Sequence, residues 1–202
     1  MDFVDELVAR VPKLSACACG IRRAFDVLLG CCRSGGKVLT CGNGGSAADS
    51  EHIVGELLKS FRLRRPVPAD ISSQLPPELA AKLEGALPAV SLVSMSGIVT
   101  AFANDVAWET AFAQQVLGLG RPGDVLVALS TSGNSANCVA AAQVAKAKGM
   151  KVVALTGAGG GRLAAFADAA ICVPETETYL VQELHLPVYH ALCAALEAAM
   201  FG

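Results

Sequence analysis

The chain has 202 residues, which is enough for one α/β domain with a substantial core. It is 53% hydrophobic and 17% charged, and its net charge of −2 provides no basic field that would indicate a nucleic-acid partner. The start of the chain, MDFVDELVAR, is acidic and polar at helical spacing, which is not typical of a secretory signal.

The composition also bears on membranes, compartment and assembly. The longest uncharged stretch, residues 85–104, contains Pro88, Gly97 and several serines and divides into a strand and a helix, so we expect no membrane partner. The eight cysteines lack CxxC spacing, and most lie in apolar runs, which favours reduced thiols in a cytoplasmic protein. So few charges predict that part of the surface is buried between subunits.

The hydrophobic periodicity predicts an N-terminal helical segment followed by alternating strands and helices. Residues 2–32 predict two helices or one bent helix, with interruptions at Pro12 and Gly20. Ser46 is the expected N-cap of the first helix after a strand. The predicted strands are 37–42, 89–94, 124–130, 151–157 and 169–174. The predicted helices that follow them are 46–61, 96–105, 108–120, 135–149, 161–168 and a long terminal helix over 178–201.

Strand–helix alternation with short connections predicts a single α/β domain over residues 1–202. Its five-stranded parallel sheet would be flanked by helices on both faces in a three-layer α/β/α arrangement, preceded by the helical segment 1–33. Residues 62–88 are Pro-rich and polar and predict an insertion within the domain, with a small helix at 77–87. This insertion could be a lid, a subunit contact or a spacer.

Two segments rich in Gly, Ser, Thr and Asn follow predicted strands. CGNGGS at 41–46 is called loop 1, and STSGNS at 130–135 is called loop 2. Both stand where a strand ends and a helix begins, where parallel sheets bind ligands and helix N-termini offer free N–H groups. Neither contains the Gly-Lys-Ser/Thr of a P-loop, and loop 1 lacks GxGxxG spacing. They fit a sugar phosphate, or two tight turns with capping serines.

Loops 1 and 2, together with AFAND, ALTG and VQELHLPVYH further along the chain, resemble the SIS (sugar isomerase) domain, specifically the phosphoheptose isomerases. The resemblance runs from about residue 34 to the C-terminus. It implies a homotetramer whose active sites lie at subunit interfaces. It also implies a phosphate site and contacts to sugar hydroxyls. The residues at matching positions are Ser46, Ser130, Thr131, Ser132 and Ser135 for phosphate, Asn43 and Asp105 for sugar, and Gly44 and Gln182 as further substrate contacts.

An acid–base pair completes the predicted site. His52 and Glu56 are four residues apart on the helix after loop 1 and share a face, and Gln182 and His190 lie roughly on one stripe of the last helix. Aldose–ketose isomerisation needs a base beside the carbonyl and an acid near its oxygen. The resemblance assigns the base to Glu56 and the acid/base to His190, acting through an enediolate.

The resemblance further implies a zinc site in some family members, at the positions of His52, Glu56, Gln182 and His190. Two imidazoles, a carboxylate and an amide oxygen can hold zinc tetrahedrally. Such a metal would polarise the carbonyl and enediolate oxygens or simply organise the site. Taken singly, each of these residues is at least as typical of a surface or core position.

The expected function is ketose–aldose isomerisation of a sugar phosphate, with sedoheptulose 7-phosphate converted to D-glycero-D-manno-heptose 7-phosphate. The alternative is a non-catalytic SIS module that senses sugar phosphates or docks onto a protein partner. A phosphosugar lyase is a third interpretation, although such lyases usually need additional domain bulk. This chain differs from compact family members in two features, the insertion at 62–88, which they lack, and Gly55, where they carry a second Glu. These differences leave the identity of the sugar open.

Overall fold

A computed structural model describes residues 2–202. Five strands form one sheet in the order β2-β1-β3-β4-β5, and every neighbouring pair is parallel. The strands are β1 (Val38–Cys41), β2 (Ala89–Ser91), β3 (Val125–Leu129), β4 (Lys151–Thr156) and β5 (Ala169–Cys172). The five predicted strands are therefore confirmed, each shortened at one or both ends.

Ten α-helices and two 3₁₀ segments surround the sheet in the described residues. The helices are α1 (Phe3–Arg10), α2 (Ala18–Arg33), α3 (Gly45–Leu58), α4 (Ala69–Ser72), α5 (Pro77–Ala80), α6 (Ser96–Asp105), α7 (Ala111–Leu119), α8 (Ala136–Ala147), α9 (Gly161–Ala164) and α10 (Thr178–Phe201). The 3₁₀ segments are Pro12–Cys17 and Trp108–Thr110.

The strands are buried on both faces, which explains their continuous apolar sequences. In β3, Val125, Val127 and Leu129 face the core shared with α1, α2, α3 and α10. Leu126 and Ala128 face a second core built with α6 to α9. This alternation follows from the two-residue side-chain period of a strand. The predicted three-layer α/β/α fold with its N-terminal helical segment is confirmed.

The strand order decides where a ligand can bind. The chain leaves β1 for β2 on one side and then returns to β3 on the other side of β1. A reversal of this kind opens a crevice at the carboxyl ends of the two strands that flank it. Loop 1 follows β1 and loop 2 follows β3, so both predicted anion loops border the same crevice.

Gly20 does not interrupt a helix, so that prediction is wrong. Pro12 begins the 3₁₀ segment that separates α1 from α2, but α2 continues unbroken through Gly20. A Cβ at Gly20 would overlap the carbonyl oxygen of Ala170 in β5. The glycine therefore allows α2 to approach the sheet closely. Sequence spacing does not distinguish this packing role from a helix break.

We expect Gly20→Ala to reduce the free energy of unfolding by about 1–3 kcal/mol, because the added methyl would push α2 away from β5. Gly30→Ala is the matched control, since a Cβ at Gly30 of the same helix meets nothing within 4 Å. That control should stabilise the protein by up to about 1 kcal/mol. Urea denaturation measures both values, and equal stabilities of the two variants would contradict the packing role of Gly20.

Two further local predictions are corrected. The N-cap of α3 is Gly44, with a φ of 56°, and Ser46 lies inside the first turn rather than capping it. A left-handed residue is needed to turn the chain from β1 into α3, and glycine adopts that conformation without strain. The predicted small helix at 77–87 is limited to Pro77–Ala80, and a second short helix, Ala69–Ser72, precedes it.

The first residues of the insertion are fixed to the domain by a buried ion pair. Arg65 Nε lies 2.7 Å from Glu197 Oε1, and neither side chain is exposed to solvent. Arg65 also donates to the carbonyl oxygens of Glu56 and Leu57 in the last turn of α3. Glu197 accepts hydrogen bonds from the backbone N–H groups of residues 61–63. This end of the insertion is therefore an integral part of the fold.

The terminal helix α10 combines an apolar sequence with a core position. Among residues 2–202 it is the one helix long and apolar enough to cross a membrane, with a mean hydropathy of 1.3. It packs against α2 and α3, and it contributes several side chains to the core: Val181, Val188, Leu192 and Leu196. Burial within this domain covers 39% of the most apolar window of this helix.

Candidate active site

The carboxylate and the two imidazoles predicted to carry the chemistry converge where α3 packs against α10. His52 Nε2 lies 3.1 Å from Glu56 Oε1 and 3.5 Å from His190 Nε2. His52 and Glu56 share a face of α3, as the four-residue spacing predicts. His190 reaches the same point from α10. The three side chains form one cluster, which we call the His52–Glu56–His190 cluster.

Glu56 is almost completely buried, and both of its carboxylate oxygens have a partner. Oε1 faces His52, and Oε2 lies 3.0 Å from Lys59 Nζ. The residue as a whole is 8% exposed. Lys59, the residue that directly follows α3, was not predicted. It neutralises the carboxylate and fixes its orientation without burying its own ammonium group.

His190 is partly buried among aromatic rings. Its ring centroid lies 4.9 Å from that of His52, 5.4 Å from that of Phe61 and 5.0 Å from that of Tyr189. Burial lowers the pKa of His190, and the neighbouring His52 lowers it further. Both effects favour the neutral imidazole, which can donate a proton at one nitrogen and accept at the other.

A groove of about 540 Å³ opens beside His190, between α1 and α10. Phe3, Arg10, Phe61 and Arg62 line it together with His190. One side of the imidazole therefore borders open space, although its other side is packed against the protein. The cluster is accessible to a small molecule.

His52 is held from behind by two residues that the sequence analysis missed. Its Nδ1 lies 3.0 Å from the hydroxyl oxygen of Tyr189, and that hydroxyl donates to Asp49 Oδ1 over 3.1 Å. Tyr189 is 2% exposed. Burial raises the pKa of Tyr189, and the nearby Asp49 raises it further. Two sequence features could have indicated these residues. Asp49 lies three residues before His52 on α3, and Tyr189 directly precedes His190 on α10.

Loop 2 is a compact turn lined with hydroxyl groups. The side-chain oxygens of Ser130 and Ser135 lie 2.9 Å apart, and the Ser135 N–H also donates to Ser130 Oγ. Ser132 is exposed and Thr131 half-buried. Gly133 has a φ of 67° and touches the backbone of Gly160, so only glycine fits there. The loop therefore presents several hydroxyls beside the N-terminus of α8.

Loop 1 leads directly into α3 and lies under Gln182. Gly44 is exposed and Ser46 is buried in the first helical turn. A Cβ at Gly45 would come within 2.9 Å of both amide heteroatoms of Gln182. The structure thus places Gln182 over the N-terminal turn of α3, about two helical turns before His52 and His190 are reached along the α3–α10 interface.

The two loops are joined by a reciprocal amide pair. Asn43 Nδ2 donates to Asn137 Oδ1 over 2.9 Å, and Asn137 Nδ2 donates to Asn43 Oδ1 over 2.8 Å. Asn137 is 2% exposed. The side chain of Asn43, predicted to contact sugar hydroxyls, is therefore engaged in holding loop 1 to the start of α8. Asn137 was missed, because only the folded chain brings it to loop 1.

We expect Asn137→Ala to raise KM for a sugar phosphate about tenfold with a smaller change in kcat. The reason is that the loss of two hydrogen bonds, each worth about 1 kcal/mol, lets loop 1 move relative to loop 2. Steady-state kinetics measures the effect. Gln143→Ala, exposed on the same helix, is the control. An unchanged KM would show that the amide pair does not position the loops.

Asp105 does not join the other predicted residues within one chain. It is the last residue of α6, is exposed, and accepts a hydrogen bond from the adjacent Asn104. Val106 and Trp108, which follow it, are also exposed, at 64% and 44%. The predicted sugar contact of Asp105 therefore stays a prediction, and it would need a second subunit or the substrate itself.

The donor types of the cluster suit zinc. With Zn–N distances of about 2.0–2.1 Å, two ligand atoms of a tetrahedral site lie about 3.3 Å apart. The distances from His52 Nε2 to Glu56 Oε1 (3.1 Å) and to His190 Nε2 (3.5 Å) are close to this value. As they stand, however, no three His, Cys, Asp or Glu side chains within residues 2–202 enclose a common ion position. The two pairwise distances fit a tetrahedral zinc site, but a complete site would require the side chains to adjust around the ion.

Comparison with known proteins identifies the family of this fold and site. The SIS domain family matches residues 2–85 and 78–157. A phosphoheptose isomerase of Rhodospirillum rubrum is 43% identical over 93% of this chain and 90% of the relative. A phosphoheptose isomerase of Methylibium petroleiphilum is 43% identical over 90% of this chain and 83% of the relative. The chain belongs to the SIS-domain phosphoheptose isomerase family.

Solved structures of the phosphoheptose isomerase family have the same architecture. The phosphoheptose isomerase of Neisseria gonorrhoeae aligns with a TM-score of 0.77 at 34% identity, covering 97% of this chain and 95% of the other. That of Francisella tularensis aligns with a TM-score of 0.79 at 32% identity, covering 94% and 91%. The predicted family is therefore confirmed over nearly the whole chain, including the helices that carry the cluster.

Proposed function

We propose that this chain catalyses the ketose–aldose isomerisation of sedoheptulose 7-phosphate to D-glycero-D-manno-heptose 7-phosphate. The observation that carries the proposal is the meeting of Glu56 and His190, through His52, at the helix α3 that follows loop 1. Relatives of 36–43% identity along nearly the full chain are phosphoheptose isomerases, which supports the same reaction. The chain is accordingly an enzyme of the isomerase class.

In the proposed mechanism, Glu56 removes a proton from C1 of the ketose while His190 protonates the carbonyl oxygen on C2. The resulting enediol carries one hydroxyl group on C1 and one on C2. His190 then takes the proton from the oxygen on C1, and Glu56 returns its proton to C2, which completes the aldose. The partly buried, neutral His190 suits this exchange between two oxygens, and general acid–base catalysis of this kind contributes about 10²–10⁴-fold.

The phosphate end of the substrate is proposed to lie at the two loops. Loop 2 offers the hydroxyls of Ser130, Thr131, Ser132 and Ser135, and Ser46 supplies another in the first turn of α3. The N-termini of α3 and α8 add free N–H groups and the positive end of the helix dipole. Gly44 leaves open space for close approach. A doubly charged phosphate can be bound here without a lysine in either loop.

Zinc is proposed as a cofactor, held by His52, Glu56 and His190 together with Gln182. The near-tetrahedral pair distances within the cluster support His52, Glu56 and His190 as donors, and the family resemblance adds Gln182. When bound, the ion would supply Lewis-acid polarisation of the substrate oxygens. Positioning of the sugar and transfer of its protons remain the work of the protein side chains described above.

We further propose that the chain forms a homotetramer with active sites at the subunit interfaces. We also propose that this homotetramer is cytoplasmic. It is supported by exposed apolar side chains near Asp105, among them Val106, Trp108 and Leu117. All eight cysteines are free thiols, which suits a reducing compartment. Sedimentation analysis at micromolar concentration tests the assembly, and a monomer would overturn it.

The proposed activity is tested with a panel of C5–C7 ketose phosphates, with and without a chelator. Conversion of sedoheptulose 7-phosphate to the aldose, detected by NMR, is the expected result, together with loss of activity in chelator that added zinc restores. Thermal stabilisation by the sugar phosphate without any conversion would instead favour the sensing module. Activity that chelator leaves unchanged would remove zinc from the mechanism.

A further inference from the structure

We propose that the groove between α1 and α10 is an anion subsite, which binds a second phosphate group at the end of the sugar opposite the first. We call it the α1–α10 groove. Its ligand class is a sugar bisphosphate, which competes with the substrate. The proposal rests on the proposed function in one respect, because the place of isomerisation fixes which end of the sugar meets His190. Binding and turnover are measured separately, so the two proposals can fail independently.

The α1–α10 groove is lined by two guanidinium groups that no carboxylate neutralises. Arg10 belongs to the last turn of α1, and Arg62 lies shortly after the end of α3. Both residues are exposed, and neither side chain takes part in an ion pair or a hydrogen bond within residues 2–202. Most of the other lining residues are apolar, among them Phe3, Leu7 and Phe61. Two free cations in a concave, largely apolar surface favour an anionic ligand.

The two arginines are held beside the proposed acid/base. The backbone N–H of Arg62 donates to the buried carboxylate of Glu197 over 2.7 Å, and the N–H groups of both flanking residues donate to the same carboxylate. The start of the Arg62 side chain is therefore fixed. Burial and the neighbouring histidine lower the pKa of His190 against the opposing effect of the Glu56 carboxylate, and the charge of Arg10 lowers it further. Arg10 is thus close enough to act on the imidazole.

Loop 1, the cluster and the groove follow one another along the interface of α3 and α10. Gln182 lies over the first turn of α3, directly after loop 1. His190 belongs to the His52–Glu56–His190 cluster and lies about two helical turns further along α10. The α10 residues that line the groove continue in the same direction: His190, Ala191 and Ala194. A sugar whose 7-phosphate lies at the loops and whose C1 and C2 lie at the cluster therefore directs its C1 end into the groove.

The proposed substrate leaves both guanidinium groups without a partner. Sedoheptulose 7-phosphate carries only a neutral hydroxyl group on C1, whereas the guanidinium fork matches the oxygens of a phosphate. A phosphate ester on the C1 oxygen would bring such oxygens to Arg10 and Arg62. It would also prevent isomerisation, because an esterified oxygen cannot become the carbonyl oxygen of the aldose. A 1,7-bisphosphate is therefore an inhibitor rather than a substrate.

One carboxylate in the groove opposes the two arginines. Glu6 lies one turn before Arg10 on α1 and lines the same groove, but the two side chains form no ion pair with each other. The groove therefore carries two positive charges against one negative charge. Removal of the Glu6 charge should strengthen the binding of a second phosphate, and removal of the arginine charges should weaken it.

The test compares heptitol 1,7-bisphosphate with heptitol 7-phosphate by calorimetric titration, since neither compound has a carbonyl group that could be isomerised. We expect the wild type to bind the bisphosphate about tenfold more tightly, which is about 1.4 kcal/mol. In the double variant Arg10→Gln/Arg62→Gln this preference should disappear, and in Glu6→Gln it should increase. Arg23→Gln, exposed on α2 and outside the groove, is the control and should keep the wild-type preference.

Equal affinities of the wild type for the two heptitols would overturn the subsite, as would a preference that persists in the double variant. Inhibition of sedoheptulose 7-phosphate turnover by the bisphosphate should be competitive, and noncompetitive inhibition would place the ligand elsewhere. A protein that prefers the bisphosphate without converting sedoheptulose 7-phosphate would overturn only the proposed function. Conversion together with equal heptitol affinities would overturn only the subsite.

Discussion

Glu56→Gln should abolish turnover, with kcat falling at least about 10³-fold, while binding of sedoheptulose 7-phosphate changes little. The amide has the shape of the carboxylate but cannot accept a proton from carbon, and general bases contribute about 10²–10⁴-fold. The proposed phosphate contacts lie in loops 1 and 2 and do not involve this side chain, so affinity should be retained. Calorimetric titration and an NMR assay for the aldose measure the two quantities separately.

The matched control is Glu51→Gln, on the same helix but exposed, where the side chain accepts a hydrogen bond from Ser94. This variant should retain wild-type turnover. Deuterium incorporation from solvent into unreacted ketose adds a direct test, because removal of the C1 proton should stop in Glu56→Gln. Turnover of Glu56→Gln within tenfold of the wild type would rule out Glu56 as the base.

Glu197→Gln should reduce the free energy of unfolding by about 3–5 kcal/mol, the usual cost of breaking a fully buried ion pair. The substitution leaves the Arg65 guanidinium without its counter-charge. It also sets an amide NH₂ group against two N–H donors, either the backbone N–H groups of Arg62 and Leu63 or those of Phe61 and the Arg65 guanidinium. Both consequences arise in a place that water does not reach. Glu183→Gln, exposed on the same helix, is the control and should change stability by less than about 0.5 kcal/mol.

The same ion pair predicts a pH dependence. Burial opposes ionisation of Glu197, but hydrogen bonds from Phe61 and Arg62, together with Arg65, outweigh it and hold the pKa below its ordinary value of 4.5. A lowered carboxyl pKa stabilises the fold above that ordinary value, and the stabilisation is lost as the pH falls toward the lowered pKa. Urea denaturation from pH 7 to 3 should show this loss in the wild type and a weaker one in Glu197→Gln. Identical pH profiles would assign the acid sensitivity to other groups.

The Arg65–Glu197 pair also connects stability to the site. Arg65 binds the carbonyl oxygen of Glu56 and thereby caps the end of α3 that carries the proposed base. Weakening the pair should therefore affect turnover as well as folding. This contact gives a structural role to Arg65, the buried one of the three arginines at the start of the insertion.

Several features followed directly from the amino-acid sequence. The five strands are continuous apolar runs because they are covered on both faces, and such runs are readable without coordinates. Loops 1 and 2 were recognisable as strand-to-helix turns because runs of Gly, Ser, Thr and Asn directly follow apolar strands. His52 and Glu56 were paired correctly because four residues make about one helical turn.

Other features depended on contacts between distant parts of the chain. Gly20 has the sequence signature of a helix break, but its function is set by the Ala170 carbonyl in β5. Asn43 is predicted to contact the sugar, and the fold in addition pairs its amide with Asn137. These outcomes depend on which side chains face one another after folding, and local periodicity contains no information about that.

The sequence by itself thus determined the layered α/β fold, the two loops and the residue types of an isomerase, because these depend on periodicity, turn chemistry and short helical spacing. Only the tertiary structure decided that Tyr189 and Asp49 support His52, and that Arg65 and Glu197 lock α3 to α10. A buried polar group must find a partner wherever the fold places one. The identity of that partner is therefore a property of the packed molecule rather than of any segment of its chain.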